Sequence, residues 1–278
     1  MTERPTITVR AATPVLRRVP AGLAELAAYR ELLGYMTINR LQVRYRNSWL
    51  GWAWAVLQPL AFLAFLSVVG FAFGGHSTAG VAYPLFILAS LSPWAFFATS
   101  LSTSAAGVLS SRSLIAKVYF PREIVPLSYV FAALADLAIA TALTMVALAC
   151  TGHSIPATAV VLLPICLILI IYAAALSLLL SIAQIGFRDI AIGLPLLLQG
   201  IMFTTPVLYS LDAVPEHWRA VYALNPLALL VEAFRGALVG KLIISAEQLV
   251  YAAIVGLILL GIAYFVFKTA ELDMVDEL

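Results

Sequence analysis

Three arginines, Arg40, Arg44 and Arg46, crowd one short stretch just ahead of the first long apolar run. A guanidinium presents a planar fork of donors that matches a phosphate bidentately, so this cluster is a candidate receiver for a phosphate or diphosphate group. The plainer reading is that arginines flanking a membrane span set its topology and touch anionic lipid. A single carboxylate, Asp136, interrupts an otherwise uncharged tract from Ile124 to Phe187. An ionisable group inside a span costs about 2.5–3.5 kcal/mol on insertion scales and marks a candidate functional position. Proton coupling would need a second ionisable group at similar depth, and the predicted spans hold none. Packing, or the lining of a wet channel, is therefore the expected role of Asp136.

Other chemistry is missing. There is no G-x-x-x-x-G-K-[ST] phosphate loop: the Gly240-Lys241 pair is followed by Leu242. The chain is thus not expected to hydrolyse ATP by itself, and no catalytic residue is assigned. His76, His153 and His217 fall in three separate predicted loops without metal-ligand spacing, so no metal site is expected. No G-x-S-x-G elbow occurs. Cys150 and Cys166 fit packed apolar positions better than a pair.

These side chains must be positioned by elements suited to lipid. Hydrophobic residues make up 63% of the 278 residues and charged residues 11%, with a mean hydropathy of +1.02. A soluble domain is about 45–50% apolar and about 25% charged. Such a chain cannot supply the charged surface of a soluble enzyme, a disordered segment or a nucleic-acid binder. The expectation is an all-α polytopic membrane protein with six transmembrane helices, at about 51–73, 84–106, 124–149, 158–185, 190–211 and 248–267. Gly74-Gly75-His76-Ser77 and Thr151-Gly152-His153-Ser154-Ile155-Pro156 supply two of the breaks. Six spans put thirteen Lys and Arg residues on one face and only Arg219, Arg235 and Lys241 on the other. The positive-inside rule then places both termini in the cytoplasm.

Two segments do not fit a simple span. Residues 23–39 carry Leu23, Leu26, Ala27, Leu33 and Met36 with Glu25 and Glu31, the pattern of an amphipathic helix in the cytoplasmic interface. Residues 212–246 are too apolar for a solvated loop, yet Glu232 and Arg235 argue against a seventh span. Asn225-Pro226 divides this stretch. Two short re-entrant helices are predicted, at about 215–223 and 227–239, dipping into the outer leaflet or capping a cavity, since irregular backbone at membrane depth is tolerated only when buried in protein or lining water. Residues 1–21 are set apart as a cytoplasmic tail, and 22–278 form one transmembrane domain.

Four stretches resemble the ABC type-two permeases that export lipid-linked polysaccharides such as O-antigen, capsule and teichoic acid. They are Arg44-Tyr45-Arg46-Asn47-Ser48-Trp49-Leu50-Gly51-Trp52-Ala53-Trp54 with Leu57-Gln58-Pro59, then Leu114-Ile115-Ala116-Lys117-Val118-Tyr119-Phe120-Pro121-Arg122-Glu123, then Phe187-Arg188-Asp189, and last Thr205-Pro206-Val207-Leu208-Tyr209 with Leu224-Asn225-Pro226 and Glu232-Ala233-Phe234-Arg235. Each alone is weak, but the four occur in the family's order.

The resemblance implies a permease of a bacterial inner membrane that forms a homodimer and docks two copies of a separate ATP-binding subunit. ATP and magnesium would be held by that partner, with no cofactor on this chain. It implies that Arg40, Arg44 and Arg46 receive the diphosphate of a polyprenyl-linked glycan. Leu114, Ile115, Lys117, Val118, Tyr119, Pro121 and Arg122 would form the segment that couples to the ATPase, since exposed apolar anchors suit helix-in-groove docking. Asn225, Pro226, Glu232 and Arg235 would belong to an external gate. Most of the aromatics fit an interfacial belt, and Trp94, deepest in its span, is the candidate for a glycan path. Asp136→Asn is expected to keep assembly and most transport. The nearest alternative is an ABC permease for a drug or small lipid. A membrane-embedded lipid-glycan enzyme would need paired acidic or His residues, and only Glu123 and Asp189 could be paired, each beside an arginine.

Overall fold

Long runs of Leu, Ala, Ile and Val become helices because lipid offers a backbone amide no other partner. In the computed structural model, residues 15–46, 48–72, 81–211 and 214–271 are described. They build eleven α-helices: α1 (Val15–Ala28), α2 (Arg30–Tyr45), α3 (Ala53–Ala72), α4 (Tyr83–Ser110), α5 (Arg112–Lys117), α6 (Ile124–Cys150), α7 (Leu162–Gly186), α8 (Ile190–Thr204), α9 (Glu216–Leu224), α10 (Pro226–Val239) and α11 (Ala246–Ala270). The Gly74–Ser77 break and most of the N-terminal tail, residues 1–14, lie outside the described residues.

Four helices among the described residues are long and apolar enough to cross a membrane: α4, α6, α7 with the 3-10 turn that leads into it, and α11. The fifth predicted span is shorter than expected. α8 has 15 residues, about 22 Å at 1.5 Å per residue, against a hydrocarbon core of about 30 Å. It stops early because Thr205 turns extended ahead of Pro206, as a residue before proline tends to do. α3, at the first predicted span, has 20 residues.

α4, α6, α7, α10 and α11 enclose the main core. Two glycines let spans approach closely, as small residues do in membrane bundles. A Cβ at Gly107 of α4 would stand 2.2 Å from the Tyr129 ring of α6, and one at Gly256 of α11 would stand 2.8 Å from Tyr172 of α7. Tyr172 also donates to the Ala252 carbonyl at 2.8 Å.

The two short helices predicted between the last spans are present. The Asn225 side chain accepts from the Leu227 amide at 3.1 Å, capping α10, and Pro226 occupies its first turn. α9 and α10 meet at 99°. Every residue of α10 from Ala228 to Leu238 is buried, and Gly240 (φ 83°) ends the helix in the left-handed region. The apolar character of α10 is thus satisfied by protein, while Trp218, Val221 and Leu224 of α9 stay exposed. A capping box of Ser245 and Gln248 then starts α11.

The predicted amphipathic helix is two helices, divided at Tyr29, because each half has a different partner. α1 lies against α11. α2 runs alongside the first half of α6: Met36 shares a core with Phe120, Ile124 and Val125, Arg40 stacks over Tyr129, and Arg44 meets Asp136.

Candidate functional site

The bundle has a near end, where α4 passes to α6 through residues 111–123, and a far end, where α9 and α10 lie. At the near end, α5 is one short helix that gives way to extended chain from Val118. Leu114, Val118 and Tyr119 are 41%, 54% and 78% exposed, while Lys117 is also exposed. Ile115 packs partly into the second core beside Phe120, which is buried, as is Pro121. The segment therefore presents apolar side chains outward from an anchored base.

That base is held by a buried charge cluster. Glu123, just before α6, is fully buried. Its carboxylate accepts from the Tyr264 hydroxyl at 3.0 Å and from the Lys268 ammonium at 2.9 Å. Lys268 also pairs with Glu271 at 3.0 Å, and Arg122 donates to the Glu271 carbonyl. Sequence pattern pointed to Arg122 and Arg188 as the partners of the two cytoplasmic acids. The ammonium that holds Glu123 instead arrives from the last helix, 145 positions away.

Along α2 the three candidate arginines separate. Arg40 donates to the Ser111 hydroxyl at 2.8 Å, and its guanidinium lies 4.3 Å from the Tyr129 ring centroid. Its buried Nε has no hydrogen-bond partner among the described residues. Arg44 pairs with Asp136, both side chains about 30% and 29% exposed. Arg46 is exposed just past the end of α2. The second ionisable group beside Asp136 is thus Arg44, supplied from outside the predicted spans. Asp136 also lines a cavity of ≈ 350 Å³ between α3, α4 and α6, with Gln58, Phe62, Ser92 and Thr99 on its walls.

The far end is organised by Arg235. It is buried, pairs with Glu232 one turn earlier, and donates to the Ser90 hydroxyl (2.9 Å) and to the carbonyls of Pro206 (3.0 Å) and Tyr209 (3.2 Å). Its guanidinium stacks 4.0 Å from the Phe86 ring centroid. Glu232 in turn accepts from the Leu211 amide at 3.3 Å. One side chain on α10 thereby fixes α4 and the chain leaving α8. Beside it, Tyr209 and Tyr222 bond through their hydroxyls at 2.7 Å and line, with Trp218 and Asn225, a cavity of ≈ 660 Å³.

Trp94 is 5% exposed and packs on Phe97 in the main core, with ring centroids 5.9 Å apart. It lines neither of these cavities. Depth along a span does not tell which way a ring faces, and here α4 turns Trp94 toward its neighbours. The structure brings Glu232 and Arg235 together, and gathers Leu114, Val118 and Tyr119 on one exposed segment. It leaves Arg40, Arg44 and Arg46 with separate surroundings. The buried cluster that sequence reasoning missed is Tyr264 and Lys268 around Glu123. Its one signal was a lysine close behind a long apolar run.

A bundle of long apolar helices, with a bent helix pair at one end whose second member is buried and an exposed apolar segment at the other, defines a multi-pass membrane protein. The chain belongs to the ABC-2 type transporter family, which matches residues 31–239. It is 30% identical over 261 residues to the O-antigen export system permease protein RfbA of Myxococcus xanthus, covering 91% of this chain and 98% of that one. A permease of the same description from Klebsiella pneumoniae is 29% identical over 74% of this chain and 79% of its own length. The polysialic acid transport protein KpsM of Escherichia coli is 26% identical over 86% of this chain and 93% of its own. These relatives are transport permease subunits, and membership of the family implies a partner ATP-binding subunit.

Proposed function

We propose that this chain is the transmembrane subunit of an ATP-driven exporter that moves a lipid-linked polysaccharide across a bacterial inner membrane. The end-to-end similarity to O-antigen and polysialic acid permeases supports the substrate class. The observation that carries the mechanism is the exposed segment Leu114–Tyr119 standing on a buried base, since apolar anchors of this kind dock into a groove of a partner. Two copies of an ATP-binding subunit engage two copies of this chain there. ATP and magnesium are bound by that partner, and their turnover moves the segment. Closed twofold dimers are the commonest oligomers, and α8 and the described part of α3, both largely exposed, are among the apolar faces available to the second copy. Both termini lie in the cytoplasm in this reading, which puts the near end inside and the far end outside. Arg46, exposed past the end of α2, then stands where a diphosphate headgroup arrives, while α10 with Glu232 and Arg235 seats the external gate behind the Asn225-Pro226 bend.

A mild-detergent pull-down of this chain from native membranes, read by mass spectrometry, tests the reading. A stoichiometric subunit carrying a phosphate loop is the expected result. Deleting that subunit's gene should leave undelivered lipid-linked glycan inside the cell. A homogeneous protein free of any ATPase would overturn the reading. An ATPase partner combined with unchanged glycan delivery would leave a permease for a drug or small lipid.

A further inference from the structure

We propose that Lys268 and Glu123 are positioning residues that carry movement of the 112–121 segment to the last helix, and through it to the far end of the bundle. The inference rests on the coupling role given above to that segment. From Val118 to Pro121 the chain is not helical, so no continuous helix transmits its motion into α6. Immediately after Pro121 stands a charge cluster with several anchors. Both oxygens of Glu123 are taken, one by Tyr264 and one by Lys268, and both of those residues lie on α11. Arg122 grips the end of the same helix at the Glu271 carbonyl. α1 closes the cluster from outside: a Cβ on Gly22 would stand 2.4 Å from the Tyr264 hydroxyl and 2.6 Å from the Lys268 side chain. The base of the segment cannot shift without moving α11 or stripping a buried carboxylate of its donors.

The other end of α11 meets the external helices. Tyr251 donates to the Leu224 carbonyl, the last residue of α9, at 3.3 Å. α11 also packs against α10 and, through Gly256, against α7. Its 25 residues form a rod of about 37 Å. That rod connects the charge cluster to the bend at Asn225. An ion pair suits this role better than an apolar contact. Apolar side chains of equal volume would hold the helices together as well, but they could slide past one another, whereas the carboxylate and its two donors fix one register.

The test uses the assembled complex with its ATP-binding subunits in sealed vesicles, and reads glycan delivered per ATP hydrolysed. Lys268→Met should keep ATP hydrolysis within about 2-fold and lower delivery per ATP about 5- to 150-fold, the usual range of a coupling interaction. Glu123→Gln should act alike, and the double variant should be no worse than either single one, because all three break the same link. Lys268→Arg should restore most of the ratio. Tyr264→Phe removes one donor and leaves the ion pair, so it should assemble normally and lower the ratio by a smaller factor; it decides the matter if Lys268→Met fails to assemble. Delivery and hydrolysis falling together by one factor would make the cluster merely structural and overturn the inference, as would an unchanged ratio in Tyr264→Phe and Lys268→Met. Wild-type complex that hydrolyses no ATP or delivers no glycan would defeat the proposed function instead.

Discussion

The two buried charge clusters, at opposite ends of one bundle, are built on different plans. At the far end Arg235 and Glu232 sit one turn apart on the same helix, so the ion pair is local and the tertiary work is done by three oxygens that Arg235 reaches on α4 and the chain after α8. At the near end the pair itself is the tertiary contact. Lys268 has Glu271 one turn on, but Glu123 finds its donors only on α11, so the cluster exists only when the start of α6 meets the end of α11. The first plan makes a rigid helix that carries its own counter-charge into the core. The second makes a joint. A buried ion is tolerated in either case because its donors and acceptors are filled, but only the joint can report a displacement between elements.

Substitutions that empty one side of each pair should have the largest effects. Arg235→Met leaves Glu232 buried without its counter-charge and strips Ser90, Pro206 and Tyr209 of a donor. A loss of about 3–5 kcal/mol is expected, read as a sharp fall in the thermal midpoint in detergent and in the amount of protein in the membrane. A normal melting curve would remove the far-end cluster from the account. The comparison is sharpened by neutralising both partners at once. At the near end, Glu123→Gln with Lys268→Met should be at least about 1 kcal/mol milder than Lys268→Met alone, since no buried charge is left over. At the far end, Glu232→Gln with Arg235→Met should gain little, because the oxygens served by Arg235 stay unpaired. Equal recovery at both ends would show that the two plans do not differ.

Smaller effects belong to the edges of the clusters. Gly22→Val forces α1 away from Tyr264 and Lys268, at a cost of about 1–3 kcal/mol. Limited proteolysis should then cut the α1–α2 region faster while the far end stays protected. The smallest change is expected at Asp136→Asn. Its pair with Arg44 is about 30% exposed, a setting in which an ion pair contributes about 1 kcal/mol or less, and the amide still offers Arg44 an acceptor. Assembly and most transport should persist; complete loss of transport with normal assembly would return Asp136 to the mechanism.

Much of the architecture is legible in residue order because the signals are summed or local. Hydropathy over about 20 residues is a sum, and it marks α4, α6, α7 and α11 within a few residues of their ends. Asn225-Pro226 is a local stereochemical signal, and the bend falls there. Leu114, Val118 and Tyr119 are apolar residues in a charged stretch, and they are exposed. Even the shortening of α8 has a local cause, in Pro206. None of these features depends on how a helix is rotated about its axis.

Rotation and partner choice were decided only in three dimensions. Trp94 was a candidate for the glycan path by its depth, and it packs on Phe97 in the core. Arg40, Arg44 and Arg46 looked like one cluster and have three surroundings. Arg44 finds Asp136 across 92 positions, and Lys268 finds Glu123 across 145. In a helix surrounded by apolar side chains and lipid, almost every face is equally apolar, so periodicity carries little information about which face is turned inward. The few buried charges then settle the choice, because each must meet a partner wherever the packed bundle brings one within hydrogen-bond distance.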